Sequence, residues 1–119
     1  MRDFTDLRVW HAGKAFCLEM YQVTRDFPRD ERFGLTSQMR RSARSICANI
    51  AEGCGYTGGR DSARFFEMSL GSACESLSDM IIAKELQFLP EPSFSRLDGL
   101  LTPTRKQLIR LIERSRNRR

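Results

Sequence analysis

The sequence is poor in the residues that most enzymes, metal sites and membrane spans require. It has one histidine, His11, and no motif around it supplies the nucleophile and base of a hydrolase or the ExxH pair of a bundle metal site. No stretch approaches the roughly 18 apolar residues of a membrane span, and the segment after Met1 lacks the apolar run of a signal peptide. We therefore expect a cytoplasmic protein that is not an enzyme, has no membrane contact, and holds neither a metal nor a cofactor.

The cysteines are few and scattered, with no CxxC spacing among Cys17, Cys47, Cys54 and Cys74. In a reducing compartment such cysteines rarely form disulfides, and only His11 could serve as a nitrogen co-ligand for a metal. The pattern favours buried free thiols over a metal or redox site.

Charge is distributed unevenly along the chain, although the total of +5 is moderate. Residues 105–119 contain seven arginines and lysines against one glutamate, a net charge of +6, whereas residues 1–104 net −1. The basic character therefore belongs to the C-terminal end. We expect a single bundle domain over residues 1–113, followed by a basic tail over residues 114–119.

Apolar residues recur with the 3.6-residue period of amphipathic helices, and no strand-like alternation of useful length is present. The period predicts helices over about 6–26, from 36 or 37 to about 53, from 61 or 62 to about 88, and from 93 or 95 onward. The connections FPRDERFG, GCGYTGGR and LPEPS carry proline or glycine and are short. The sequence thus predicts an all-α fold, an up-down-up-down antiparallel four-helix bundle.

Details of the helix ends and of the fourth helix also follow from the sequence. Pro103 interrupts the apolar stripe of the fourth helix, so that helix either kinks there, which we favour, or ends and restarts. Side chains able to cap the last three helices are Thr36 or Ser37, Asp61 or Ser62, and Ser93 or Ser95.

The first helix has two adjacent apolar arcs, which is more apolar surface than packing inside one bundle needs. The outer side of the third helix adds further apolar positions. Both features predict contacts between copies of the chain. The candidate subunit contacts are Val9, Phe16, Met20, Val23, Met68, Ile82 and Leu86.

Arginines form two groups with the chemistry of phosphate binding, since each guanidinium offers a planar fork of donors. One group lies off the apolar stripe of the second helix, and the other fills the C-terminal end, where attraction for phosphate would not depend on sequence. Either group could instead be a solvated surface or a frayed tail, and no aromatic residue interleaves the C-terminal run. The candidate nucleic-acid contacts are Arg40, Arg41, Arg44, Arg110, Arg114, Arg116, Arg118 and Arg119.

Four segments, FTDLRVWHAGKAF, YQVTRDFP, ERFGLTSQMRRSARSICANIAEG and FFEMSLGSACESL, give the chain a family resemblance. In order and spacing they resemble the small four-helix-bundle proteins encoded in intervening sequences of bacterial 23S ribosomal RNA genes. The same superfamily includes the accessory variability determinant of diversity-generating retroelements, a basic protein that associates with a reverse transcriptase and nucleic acid. The resemblance covers residues 4 to about 89 and implies a ring-like homopentamer.

Two polar residues in the segment NIAEG, Asn49 and Glu52, are unusual for a core helix. Asn49 lies at the edge of the apolar stripe, so its amide could bond a neighbouring helix or the loop that ends at Gly34. Glu52 could pair with an arginine of residues 29–32 or of another subunit. A structural polar motif is favoured over a ligand site for both.

Two functions fit these observations. The first is a non-enzymatic oligomeric scaffold that binds RNA or DNA without sequence specificity, because assembly would multiply one weak basic surface into useful avidity. The alternative is a protein-interaction module without nucleic-acid binding, in which a groove between helices accepts a partner's helix.

Overall fold

The computed structural model describes residues 2–118, which form four long helices and no strand within that range. The fold measures 47 × 24 × 20 Å. This architecture confirms the all-α prediction. The helices are α1 (Arg8–Thr24), α2 (Leu35–Cys54), α3 (Gly59–Glu85) and α4 (Glu91–Arg116), with short 3-10 turns at Phe4–Asp6 and Arg29–Glu31.

Contacts between the helices establish the up-down-up-down order. Arg116 pairs with Glu67 at one end of α3 and α4, and Lys84 pairs with Glu91 at the other, so these two helices run antiparallel. Each helix packs against its neighbours in the chain, and α1 also packs against α4, which closes the bundle. The start of α1 and the end of α4 therefore lie at the same end of the molecule.

The core runs along the bundle axis and takes up both apolar arcs of α1. Phe16 and Met20 are completely buried and Val9 is 5% exposed, because α1 is covered by α2 on one side and by α4 on the other. The prediction that Val9, Phe16 and Met20 contact another subunit is therefore wrong. Val23 is half-buried and packs against the same core.

The helices begin slightly earlier than the capping side chains predict. The residues that precede α2, α3 and α4 are Gly34, Gly58 and Pro90, and none of them provides a side-chain cap. At α2 the carboxylate of Glu31 accepts the amide hydrogen of Leu35 instead, with a distance of 3.1 Å between Oε1 and N. The predicted caps are thus wrong, and Thr36 lies buried inside the first turn of α2.

Helix α4 passes through Pro103 without ending, which excludes the alternative of a stop and restart. It also continues past residue 113, and Ser115 is 1% exposed. The backbone of Ser115 packs closely against Gly59 at the start of α3. The predicted boundary between bundle and tail at residue 113 therefore does not coincide with an end of the helix.

Candidate nucleic-acid interface

The start of α1 and the last turns of α4 enclose a basic pocket of about 360 Å³. Arg110 and Arg114 stand one turn apart on α4, and Arg8 faces them from the first turn of α1. The buried side chains of Val9 and Leu111 form part of its wall. We call this site the α1–α4 pocket, and its full lining is Asp6, Leu7, Arg8, Val9, Gln107, Arg110, Leu111 and Arg114.

The charges of the α1–α4 pocket are largely uncompensated. Within residues 2–118, none of its three arginines lies within salt-bridge distance of a carboxylate, and Asp6 is the one acid in the lining. Leu7 precedes α1 and supplies no capping side chain, so the positive end of the α1 dipole adds to the field. The pocket is therefore suited to anionic oxygens such as those of phosphate.

The structure brings together only part of the C-terminal arginine group. Arg110 and Arg114 share the α1–α4 pocket, but Arg116 is engaged with Glu67 at 2.7 Å. Arg118 donates to the Ser62 hydroxyl at 3.4 Å, and Arg119 lies outside the described residues.

Arg8 joins the pocket although no pattern in the sequence marks it as a candidate. It stands alone in the sequence between Leu7 and Val9, and only the antiparallel packing of α1 on α4 places it beside the other two arginines.

The arginines of α2 form a separate group. Arg40 is half-buried and turned toward α1, where its Nε donates to the Thr24 hydroxyl at 2.8 Å and its Nη2 to the Tyr21 carbonyl at 3.3 Å. Arg41 and Arg44 are exposed. Arg40 contacts the last turn of α1. At a rise of 1.5 Å per residue, that turn lies about 24 Å along the helix from Arg8. The two arginine groups therefore do not form one surface.

Asn49 bonds within its own helix rather than directly to another. Its amide nitrogen donates to the carbonyl and hydroxyl oxygens of Ser45, at 3.0 and 3.1 Å, and Ser72 of α3 donates to the same hydroxyl at 3.0 Å. Asn49 thus reaches α3 through Ser45. Glu52 is exposed and forms no salt bridge with any residue of the described chain.

Apolar surface remains open on α3. Met68 and Leu86 are each 51% exposed and Ile82 is 48% exposed, so the three predicted contacts on this helix are available to a partner. Ile82 stands one turn before Leu86, the residue that directly follows α3, whereas Met68 lies in the N-terminal half of the helix.

The thiols differ in their exposure. Cys54 is buried and Cys17 and Cys47 are half-buried, but Cys74 is exposed, so the expectation of burial is wrong for Cys74. Burial raises the pKa of the Cys47 thiol to about 11, and burial also raises the pKa of Cys17 and Cys54.

Neither a cluster of metal-binding side chains nor a membrane-spanning helix occurs in residues 2–118. Over this range no three side chains of the histidine, cysteine or acidic type gather into a metal-binding group. The ring of His11 instead bonds the Thr5 carbonyl at 2.8 Å. None of the described helices combines the length and the apolar content needed to cross a membrane.

Comparisons with known proteins identify the fold and the family. A crystal structure from Bacteroides thetaiotaomicron, described as a protein with unknown function from the S23 ribosomal protein family, is 20% identical with a TM-score of 0.78. The match covers 87% of this chain and 97% of that chain, and it shows the shared fold. Comparison with curated proteins gave no match. Because residues 5–110 match the family described as 23S rRNA-intervening sequence protein, the chain belongs to that family.

Proposed function

We propose that this protein is a non-enzymatic oligomeric scaffold that binds the phosphate backbone of RNA or DNA without sequence specificity. The observation that carries the proposal is the convergence of Arg8, Arg110 and Arg114 on one pocket without a carboxylate partner in the described chain. Arginine forks bind phosphate oxygens in pairs, and such contacts position a nucleic acid without reading its bases.

Assembly is the second half of the proposal. One pocket with three arginines gives weak binding, but several copies that engage the same strand or duplex bind with a much higher effective concentration. The exposed apolar side chains of α3, Ile82 and Leu86 in particular, supply the surface that copies would share. A homopentamer, as the family resemblance implies, would present five such pockets.

A salt titration with two matched variants tests the binding. Arg110→Gln/Arg114→Gln removes two charges from the α1–α4 pocket, and Arg41→Gln/Arg44→Gln removes two from the exposed face of α2. Affinity for a fluorescent 20-base-pair duplex is measured by anisotropy across a series of salt concentrations. We expect the pocket variant to reduce the log–log salt slope by about 2, because about 0.9 counterions are released per phosphate contact.

The α2 variant should leave that slope nearly unchanged. Equal losses in both variants would show that binding is diffuse rather than located in the pocket. Absence of duplex binding by the wild type at low salt would refute the nucleic-acid proposal.

Light scattering tests the assembly. The wild type should have the mass of an oligomer, and Ile82→Glu/Leu86→Glu should reduce it to the mass of one chain, since two buried carboxylates without partners are costly at an interface. Leu18→Glu is the control, because Leu18 is 60% exposed on α1, away from the proposed contact. A wild-type monomer at every concentration would contradict the proposal.

An apolar groove between α3 and α4 favours the alternative function, a protein-interaction module. The groove measures about 440 Å³, and its apolar lining includes Leu70, Cys74, Ile109 and Ile112. Gly71 also lines the groove and leaves it open there, since a Cβ at this position would meet no atom within 4 Å apart from those of its own stretch of helix. An amphipathic helix from another protein would fit such a surface. This alternative gains if the duplex does not bind and an added helical partner does.

A further inference from the structure

We propose that a second pocket, at the connection between α1 and α2, binds the phosphate of an unpaired nucleotide whose base stacks on Phe33. This α1–α2 pocket has a volume of about 620 Å³ and lies at the opposite end of the bundle from the α1–α4 pocket. The lining residues that concern a ligand are Thr24, Arg25, Arg29, Arg32, Thr36 and Arg40.

The lining has four arginines and no acid. The nearest acids in the sequence are Asp26, Asp30 and Glu31, and none of them lines the pocket. Asp26 lines a different cavity on the side of α4, Asp30 is exposed, and Glu31 accepts the Leu35 amide hydrogen. Over residues 2–118 none of the four arginines has a salt-bridge partner. A concentration of like charge at one pocket is unfavourable by itself, and a bound phosphate would relieve it.

Arg40 is held in place before any ligand arrives. Its guanidinium bonds Thr24 and the Tyr21 carbonyl, and its Cζ lies 4.7 Å from the centroid of the Tyr21 ring. A side chain that is already fixed loses little conformational entropy when it binds a ligand. Arg40 therefore acts as the rigid member of the pocket, whereas Arg25 and Arg29 are exposed.

Thr36 points independently to a ligand. The residue is only 6% exposed and lines the pocket, yet its hydroxyl oxygen is buried without a hydrogen-bond partner in the described chain. A buried hydroxyl without a hydrogen-bond partner lowers the stability of the fold, so stability does not explain why Thr36 has one here. The hydroxyl stands in the first turn of α2. A phosphate oxygen would satisfy the hydroxyl as acceptor.

Phe33 indicates which phosphate compound fits. Its side chain is 86% exposed, the largest exposure among the bulky apolar residues between positions 2 and 118. Arg32 lines the pocket and stacks on this ring, with its Cζ 4.8 Å from the centroid. An aromatic ring beside phosphate-binding arginines is the usual arrangement for holding an unpaired base, because every base has a face that can stack. Bases inside a duplex do not offer that face.

Calorimetry on the full chain with adenosine 5′-monophosphate, adenosine and inorganic phosphate tests the pocket directly. The monophosphate should bind more tightly than inorganic phosphate, and adenosine should not bind measurably. Arg29→Gln/Arg32→Gln should weaken both phosphate compounds at least tenfold. Phe33→Leu should weaken the monophosphate about tenfold and leave inorganic phosphate unchanged, because a single stacked base is lost.

Two further variants guard against misreading these results. Arg60→Gln/Arg64→Gln removes the same charge from the exposed start of α3 and should change neither affinity. Thr36→Val should weaken both phosphate compounds while its thermal midpoint is at least that of the wild type, because the unpaired hydroxyl is replaced by a methyl group. The proposal is overturned if neither phosphate compound binds the wild type, or if Phe33→Leu binds the monophosphate normally.

A second measurement separates a free nucleotide from a strand. The inference that the pocket binds a nucleotide within a nucleic-acid strand rests on the proposed function. The calorimetry with a free nucleotide does not depend on that function. Phe33→Leu should weaken binding of an unstructured single-stranded 12-mer and leave binding of a duplex unchanged. If duplex binding is lost only in Arg110→Gln/Arg114→Gln, the result concerns the α1–α4 pocket and does not bear on the α1–α2 pocket. Mononucleotide binding without any effect of Phe33→Leu on the single strand would assign the site to a free nucleotide.

Discussion

At the scale of single residues, a buried polar atom without a hydrogen-bond partner lowers the stability of the fold. Asp79 of α3 is one of them, since its Oδ2 is buried without a hydrogen-bond partner in the described chain. Burial raises the pKa of this carboxyl above its usual value of 3.8, and the negative charge of Glu75, one turn earlier, raises it further. The folded protein therefore holds this proton more tightly than the unfolded chain does.

The variant Asp79→Asn tests whether the buried carboxylate destabilises the fold, through the pH dependence of the free energy of unfolding. A raised pKa in the folded state stabilises the protein below the unfolded pKa, and that contribution is lost as pH rises through the folded pKa. We expect the variant to exceed the wild type in free energy of unfolding at pH 7 and to match it near pH 3. Urea denaturation at several pH values measures the difference. An equal advantage at both pH values would point to packing rather than to charge.

Site residues were predictable where a run of charged residues marks them in the sequence. They were not predictable where only the packing of another helix brings a residue into the site. The charge run identified Arg110 and Arg114, but Arg8 became part of the same pocket only through tertiary packing. Similarly, periodicity gives the angle at which Phe16 and Met20 leave α1 but not the helix that covers them. With α2 and α4 on either side, both arcs are buried within one chain.

At the scale of helices, the contact between α2 and α3 depends on small residues. The hydroxyls of Ser42 and Ser76 bond each other at 2.9 Å, and Ser69 donates to the Ile46 carbonyl at 2.7 Å. Each bond satisfies a buried hydroxyl across the interface, so the two helices approach closely without leaving these polar atoms unpaired.

Gly53 and Gly71 form a matched pair for testing this contact. A Cβ on Gly53 would stand 2.5 Å from Cε1 of Phe66, whereas one on Gly71 would meet nothing within 4 Å. We expect Gly53→Ala to lower the free energy of unfolding by about 1 to 3 kcal/mol through overpacking. Gly71→Ala should raise it by about 0.5 to 1 kcal/mol through helix propensity. Thermal melts compare the two, and a stabilised Gly53→Ala would show that Phe66 moves aside easily.

Helix existence and order were predictable because the apolar period extends over many residues, but helix ends were not. An end depends on one local bond, and at α2 that bond comes from Glu31, four residues before the amide it accepts. Pro103 was also ambiguous from sequence, since a proline can either stop or interrupt a helix. Packing of buried residues on both sides of it, including Leu101 and Thr104, keeps α4 continuous.

At the scale of the whole molecule, the basic C-terminal end is part of the bundle rather than a separate arm. Ser115 is buried, Arg116 pairs with Glu67, and Arg118 bonds Ser62. The charge count along the sequence located this basic region correctly, but charge alone does not show whether a segment packs. Arg116 and Arg118 therefore connect the end of α4 to α3 as well as contributing positive charge.

Deleting residues 114–119 tests whether this end belongs to the fold. The deletion removes the buried Ser115 and its close packing on Gly59, so we expect a loss on the order of 2 kcal/mol in the free energy of unfolding. Arg114→Gln/Arg118→Gln, which keeps the backbone and removes two charges, should stay within about 0.5 kcal/mol of the wild type. Chemical denaturation measures both. A truncated chain as stable as the full one would instead support the free tail that the charge pattern suggested, and nucleic-acid binding could then be assigned by truncation without concern for folding.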